Sequence, residues 1–519
     1  MEKKAKSSKI ELPDNRVKKA FCATLDFNIA KVISVESTFI RALPGFSIVG
    51  MANQSIQESR DRIKSALLGI GFKFPSQKIT INLAPSDIKK EGSHFDLVIA
   101  LLIAFQKTSS TCRDFFIFGE LGLGGEIRST SAIFPILLSL AREHKDISVL
   151  LPTCMLQKAT QIKGIKIYGV ANLSEAIEFF QEKRYELPYK PIKTKEFFDK
   201  KIKINNKEYF YDVDFTLDFK DVKGHKFLKR IMVISAAGMH NILLEGSPGC
   251  GKSMSIKRLR YILPPVSIEE VLESQAYKSI NQEDENLSAK RAFRSPHHSS
   301  SKPSIFGGGS SRAMAGEAAL AHNGILFFDE LPHFSKQILE SLREPLENHK
   351  VLISRVNSKI EYDTKFLFAA AQNPCPCGNL FSKVRECRCS DLEIARYKSR
   401  ISDPILDRID LYIQVDEDYS KEETVSSKDM FKDVLKAFNF QKRRGQKELN
   451  ANLNEQDIDK FCILQEDTEE LLESAISRYG LNQRSVSKIL KISRTIADID
   501  ESETIRKRDL LEALNYRKR

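Results

Sequence analysis

The eight residues from Gly246 to Ser253, Gly-Ser-Pro-Gly-Cys-Gly-Lys-Ser, carry the spacing G-x-x-x-x-G-K-S. An apolar run, NILLEG, leads into them and a helix-forming run, MSIKRL, follows. In that context the motif is a phosphate loop. Gly246, Gly249 and Gly251 let the backbone curl until its N–H groups face an anion, and the helix N-terminus adds positive potential. Lys252 then reaches the β- and γ-phosphates of a nucleotide and Ser253 holds Mg²⁺. Ser247, Pro248 and Cys250 occupy the free positions, with Cys250 as a small filler. The bland alternative, a chance glycine-rich turn, does not account for the flanking strand and helix.

A second element of the same chemistry lies some eighty residues on. GILFFDEL is an apolar strand ending in Asp329-Glu330. An apolar strand with an acidic end is common by itself. After a phosphate loop it acquires roles: Asp329 for the Mg²⁺, directly or through water, and Glu330 to polarise the attacking water. KFLFAAAQNP is a further apolar strand, and it ends in Asn373. That amide can share the same water. A turn Asn before Pro374 is the plainer reading.

Immediately afterwards, NPCPCGNLFSKVRECRCS gathers Cys375, Cys377, Cys387 and Cys389 out of nine cysteines in the chain. The spacing is C-x-C, nine residues, C-x-C. Zinc ribbons use C-x₂₋₄-C knuckles, so the pattern departs from the usual one. Two tight pairs can still supply four sulfurs to one structural Zn²⁺. The loop is polar and lacks a core of its own, so a metal staple would help it. Unrelated reduced thiols and redox sensing stand as the other readings.

These residues need a scaffold. The chain has 519 residues, 41% of them hydrophobic, enough for several cored domains. It contains no apolar run of the roughly eighteen residues a membrane span requires. Its first residues are basic and polar, without the apolar heart of a signal peptide. A cytoplasmic protein with reduced cysteines is expected. The net charge of +12 and pI near 9.0 suit a polyanionic partner without demanding one.

Residues 1–19 read as a basic tail, and 20–180 as a mixed domain. There FSIVGM, KITINLA and IFGELGL suggest strands, NQSIQESRDRIKSALLGIG a helix closed by glycine, and FDLVIALLIAF a buried run of helical length. Residues 181–212, lysine-rich with two prolines, read as a linker. From 213 to 420, apolar strands alternate with helices, which predicts an α/β domain with a parallel sheet covered on both faces. The Cys-rich insertion, 375–389, falls inside it. Residues 421–519 have helical periodicity and predict a small helical lid.

Two further segments could touch a partner. KVLISRVNSKIEYDTKFLF reads as a hairpin turning at Asn357-Ser358-Lys359; Arg355 and Lys359 are ordinary surface charges or, by resemblance to helicases in which such a hairpin enters a ring channel, candidate DNA contacts. FRSPHHSSSKPSIFGGGSSR is glycine- and serine-rich. Its adjacent His297 and His298 cannot easily face one metal, so a channel loop is the better reading.

Taken with LPGFSIVGMANQSIQESRDRIKSAL, NLAPSDIKKEGSHFDLVIAL, FRSPHH, GEAALAHNGILFFDELPHF, AAAQNPCPCG and SRISDPILDRIDLYI, the chain resembles the ComM/YifB-type magnesium-chelatase-like AAA+ ATPases of bacteria from about residue 20 to its C-terminus. The resemblance implies an AAA+ core with hairpin insertions, bound to Mg²⁺-ATP and assembled as a homo-hexamer. It implies that Arg408 of PILDRIDL, or nearby Arg400, reaches a neighbour's γ-phosphate, an arginine finger worth about 10³–10⁵ in rate in other NTPases. It makes Arg484 a phosphate-reading residue of the lid. It implies a Lon-protease-like, S5-like α+β fold for the N-terminal domain, but without a working peptidase pair. Ser93 is present, His94 stands in the nucleophile register, and no lysine occurs near Phe134. The implied activity is a DNA motor for branch migration in natural transformation. A remodeller of protein partners shares every ATP residue and remains the rival reading.

Overall fold

The computed structural model describes residues 17–26, 28–187, 197–283, 286–308, 314–355, 358–416 and 424–517. They cluster into two compact units. One comprises Met1–Lys195 with Ser279–Asn286, the other Glu196–Lys278 with Leu287–Arg519.

The first unit is built on a seven-stranded mixed sheet. Its spatial order is Gly45–Val49, Lys78–Ala84, Ile29–Ile40, Lys18–Asp26, Phe115–Ile117, Ile147–Pro152, Ile165–Val170. The two longest strands, Lys18–Asp26 and Ile29–Ile40, pair antiparallel from Lys18 opposite Ser37 to Asp26 opposite Ile29. Helix Gln54–Gly69 begins where the Asn53 side chain accepts the Ile56 N–H. Helix Asp96–Ala104 is buried on every side, as its unbroken apolar sequence predicts. IFGELGL is not one strand. The sheet strand stops at Ile117, and Glu120–Leu121 turns away to pair with Ile127–Arg128.

Part of the segment read as a linker forms strands. Lys200–Ile204 and Lys207–Tyr211 form a hairpin that pairs with Val266–Ser267 in the second unit. Lysine density suggested solvent, but alternate residues, Ile202, Ile204, Tyr209 and Tyr211, pack into the core.

The second unit holds a five-stranded sheet in the order Phe293–Arg294, Ile325–Phe328, Leu367–Gln372, Ile242–Gly246, Leu411–Val415, with every neighbouring pair parallel. Both faces are covered, and the alternation proves it. Ile242, Leu244, Ile325, Phe327, Ala369 and Ala371 enter one core, while Leu243, Leu326, Phe328, Phe368 and Ala370 enter another. The first core continues into the C-terminal helices through Phe431, Val434, Phe438, Ile489 and Ile492. Helix Gln483–Ile499 is tied in further by a buried polar set: Arg494 and Arg444 both donate to Asp498.

The hairpin lies between the Ile325–Phe328 and Leu367–Gln372 strands, but its turn is one step earlier than expected. Lys350–Arg355 and Ser358–Asp363 pair through to Arg355 opposite Ser358. Ser358 and Lys359 therefore belong to the returning strand, and 356 and 357, which connect the strands, lie outside the described residues.

Candidate active site

The phosphate loop leaves the end of the Ile242–Gly246 strand and becomes helix Lys252–Leu259. Gly249 and Gly251 take φ of +84° and +86°, values that side chains with a Cβ adopt only under strain. The Lys252 side chain folds back into the loop. Its Nζ donates to the carbonyls of Gly246 and Ser247 at 2.6 and 2.8 Å, and to Asn373 Oδ1 at 3.3 Å. Burial, the largest influence, lowers the Lys252 pKa from its usual value, and the Cys250 thiol and the Asp329 and Glu245 carboxylates only partly restore it.

Ser253 Oγ donates to Asp329 Oδ1 at 3.0 Å, so a hydroxyl and a carboxylate face one point. That pairing of hard oxygen donors fits Mg²⁺. Glu330, the next residue, is exposed and sits at φ +53°, a left-handed value unusual for glutamate. Its own N–H donates to Asp329 Oδ1 at 3.1 Å. The strained turn points the two carboxylates apart, one toward Ser253 and one to solvent. The Ser247 hydroxyl is buried within the loop and finds no partner among the described residues. These features, an ammonium resting on its own loop and an orphaned hydroxyl, fit a site made for an anion.

Asn373 directly follows the Leu367–Gln372 strand and leads into the cysteine-rich segment. Its backbone hydrogen-bonds the Tyr397 hydroxyl, whose pKa burial drives up to about 12 against that bond. Tyr397 is the buried residue of helix Asp391–Lys398, which starts at a complete capping box between Ser390 and Glu393. Between them lie the four cysteines. Their sulfurs all fall within 4.8 Å of one another, with Cys375–Cys377, Cys377–Cys387 and Cys375–Cys387 at 3.4, 3.6 and 3.7 Å. Those separations are far longer than a disulfide of about 2.05 Å. A tetrahedral zinc with arms of about 2.3 Å would set its sulfurs about 3.8 Å apart, close to what is seen.

Arg408 and Arg484 are elsewhere. Asn241, which directly precedes the Ile242–Gly246 strand, donates its side-chain amide to the Arg408 carbonyl at 3.0 Å. Arg408 thus stands at the start of the strand whose far end opens the phosphate loop. Five extended residues separate the two ends, a span of about 15 Å. Arg484 joins Arg408 there, both donating to Glu347. The hydrogen bond from Arg408, partly opposed by burial and reinforced by Arg484, holds the Glu347 carboxyl below the usual range. One turn after Arg484, Lys488 donates to the Ile409 carbonyl at 3.1 Å. Arg400 differs from Arg408: it donates to the carbonyl of Pro332, two residues past Glu330, at 3.2 Å.

Of the hairpin candidates, Lys359 is exposed, while the Arg355 side chain is outside the described residues. The His297 and His298 rings lie against each other at a 37° tilt with centroids 4.1 Å apart, and the His333 ring centroid lies 6.0 Å from that of His298. In the first unit Ser93 donates to Glu120, and His94 is fully buried with Nε2 2.9 Å from the Ala23 carbonyl. Phe134 is a core residue of helix Ile133–Glu143.

Sequence reasoning passed over three residues that position this site. Glu347 and Tyr397 carry no motif. Gly378, inside the cysteine loop, has φ +78° and packs so tightly on the phosphate loop that a Cβ there would lie 2.6 Å from Pro248 Cδ. The glycine after Cys377 was a usable signal.

Comparison with known proteins agrees along the chain. Residues 218–424 match the family described as magnesium chelatase, subunit ChlI; 35–154 match subunit ChlI of Mg-chelatase; and 424–517 match its C-terminal part. The competence protein ComM of Haemophilus influenzae is 35% identical over 501 residues, covering 94% of this chain and 95% of ComM. The uncharacterized YifB proteins of Salmonella typhimurium and Escherichia coli are 37% and 36% identical over 503 residues, covering 94% of each chain. No helix among the described residues is long and apolar enough to cross a membrane.

Proposed function

Because the chain belongs to the ComM/YifB family of magnesium-chelatase-like AAA+ proteins, we propose that it is an Mg²⁺-dependent ATPase acting as a ring-shaped DNA motor. Its task is branch migration or unwinding of recombination intermediates.

One observation carries the ring. Lys252, Ser253, Asp329 and Asn373 converge at one end of the sheet, and Arg408 and Arg484 at the other. A single subunit cannot bring the two groups to one nucleotide. A head-to-tail assembly can, since each subunit then offers its arginines to the next subunit's phosphate loop. A closed homo-hexamer satisfies every subunit equally.

Within the site, backbone N–H groups of Gly246 to Ser253 bind the phosphates, and Lys252 leaves its loop carbonyls for the β- and γ-oxygens. Ser253 and Asp329 would hold the Mg²⁺, which would neutralise charge on those oxygens. Glu330 polarises the attacking water and Asn373 orients it. The neighbour's Arg408, with Arg484 beside it, offsets the charge that develops on the γ-phosphate. Their release from Glu347 couples nucleotide state to the lid, because Arg484 rides on the lid helix Gln483–Ile499. The four cysteines we read as a structural Zn²⁺ site.

Support for DNA comes from the net charge of +12, from the exposed Lys359 beside the hairpin turn, and from the competence protein among the relatives. The first-unit residues argue against proteolysis: Ser93 has a carboxylate partner instead of a lysine. Remodelling of a protein partner, in the manner of a chelatase subunit, is the second reading, favoured by the family descriptions. Steady-state ATP turnover separates the two. The motor reading expects stimulation by branched or single-stranded DNA that fades steeply with salt. Turnover indifferent to DNA at low salt would reject it in favour of the remodeller.

A further inference from the structure

Beyond a few turn hydrogen bonds, the cysteine loop has no regular structure to hold its shape. From Asn373 to Ser390 there is neither helix nor strand, and between Cys375 and Cys389 only Cys375 and Gly378 are fully buried. Val384 at its tip is 73% exposed. Yet the loop touches the nucleotide site in three places. Cys375 follows Asn373 by two residues, and Asn373 Oδ1 is a partner of Lys252. Gly378 lies against Pro248, in the middle of the phosphate loop. The far end of the loop leads into the helix that carries Tyr397 back to the Asn373 backbone.

The four sulfurs stand where these strands of chain meet. Cys375 and Cys377 belong to the outgoing limb, Cys387 and Cys389 to the returning limb, and all four are within 4.8 Å. A single ion bound by the four thiolates would join the limbs and close the circuit from Asn373 through Tyr397 and back. The separations suit one tetrahedral ion, and four sulfur ligands select zinc among the divalent metals held by reduced proteins.

We infer that a zinc ion held by Cys375, Cys377, Cys387 and Cys389 controls the nucleotide site, setting the positions of Asn373 and Pro248 so that ATP binds and turns over only in the metal-loaded protein. The inference rests on the reading of Gly246–Ser253 as the ATP loop.

The test uses the full chain. Bound metal is counted by mass spectrometry, and affinity is measured with a fluorescent ATP analogue, separately from turnover. Wild type is expected to carry one zinc. Stripping it with a chelator weakens analogue binding at least tenfold, and added zinc restores it. Cys387→Ser with Cys389→Ser, on the returning limb, loses the metal and shows the same defect. Gly378→Ala keeps the zinc and still loses affinity, because its new Cβ displaces Pro248. Should the cysteine variant fail to fold, the chelation and re-addition cycle on wild type gives the same readout. Absence of zinc, presence of iron in its place, or stripped protein that binds the analogue within twofold of wild type would each overturn the inference. Lys252→Ala runs alongside: analogue binding unchanged by that substitution would instead refute the ATP-loop reading itself.

Discussion

Arg408 and Arg484 donate to opposite oxygens of one carboxylate, Arg408 Nη2 to Glu347 Oε2 and Arg484 Nη2 to Glu347 Oε1. Both arginines therefore lie together, at the sheet end away from Lys252. Arg408→Ala is expected to lower ATP turnover by about 10³–10⁵ while leaving nucleotide affinity nearly intact. Lys252→Ala should abolish binding. Mixed in equal amounts, the two inactive proteins should regain about a quarter of wild-type turnover, since that fraction of interfaces pairs an intact loop with an intact arginine. No recovery from a verified mixed ring would contradict the supply of Arg408 to a neighbouring subunit's site.

The buried Lys252 gives ATP binding a pH signature. Its pKa is lowered from the usual 10.5 by burial within the loop, and phosphates would raise it again. Binding must then take up a proton at alkaline pH, and affinity must fall as pH rises, beginning below the ordinary lysine range. Calorimetry in two buffers of different ionisation enthalpy measures the uptake. Asn373→Ala, which removes one Lys252 partner, should keep binding and lower turnover about 10²-fold.

His94 sets a pH limit on the first unit. Burial lowers its pKa to about 4, with the bond to the Ala23 carbonyl opposing. The unfolded chain binds the proton first, near pH 6.5, and the folded chain resists until about 4. This contribution is whole above pH 6.5 and is lost as pH falls toward 4, by about 3 kcal/mol at most. Melting followed between pH 7 and 4.5 should show the loss, and a His94→Gln protein should show less of it. Ser93→Ala should leave ATP turnover unchanged, and casein should survive incubation with either protein.

Much of this was legible in the sequence for a physical reason. A phosphate loop must be contiguous, so G-x-x-x-x-G-K-S announces itself, and strands buried on both faces must be continuously apolar, so GILFFDEL and KFLFAAA do as well. The long pair Lys18–Asp26 and Ile29–Ile40 was harder, because its buried positions include polar Thr24 and Ser37 and so do not read as a clean apolar alternation. The linker reading missed the 200–211 hairpin because lysines there mask every second apolar residue. Glu347, Tyr397 and Gly378 act through packing between segments distant in sequence, and a single sequence carries no signal for that. The placement of Arg408 away from Lys252 depends on strand direction, which only the fold supplies.

Lys359 offers a test of DNA binding that needs no structure of a complex. It is exposed and opposite Ser354 on the hairpin. Lys359→Ala should weaken DNA-stimulated turnover without altering the DNA-free rate. It should also reduce the slope of log affinity against log salt by about 0.7–0.9 for each phosphate that the side chain neutralises in wild type. An unchanged slope would remove the hairpin from the DNA path.

The most direct measurement is ATP-dependent strand displacement on a three-stranded branched DNA, comparing wild type with Glu330→Gln. The account predicts displacement by wild type, and none by a variant that still binds ATP and DNA but lacks the carboxylate that polarises water. An ATP-hydrolysing wild type that leaves the branch where it is would contradict the motor.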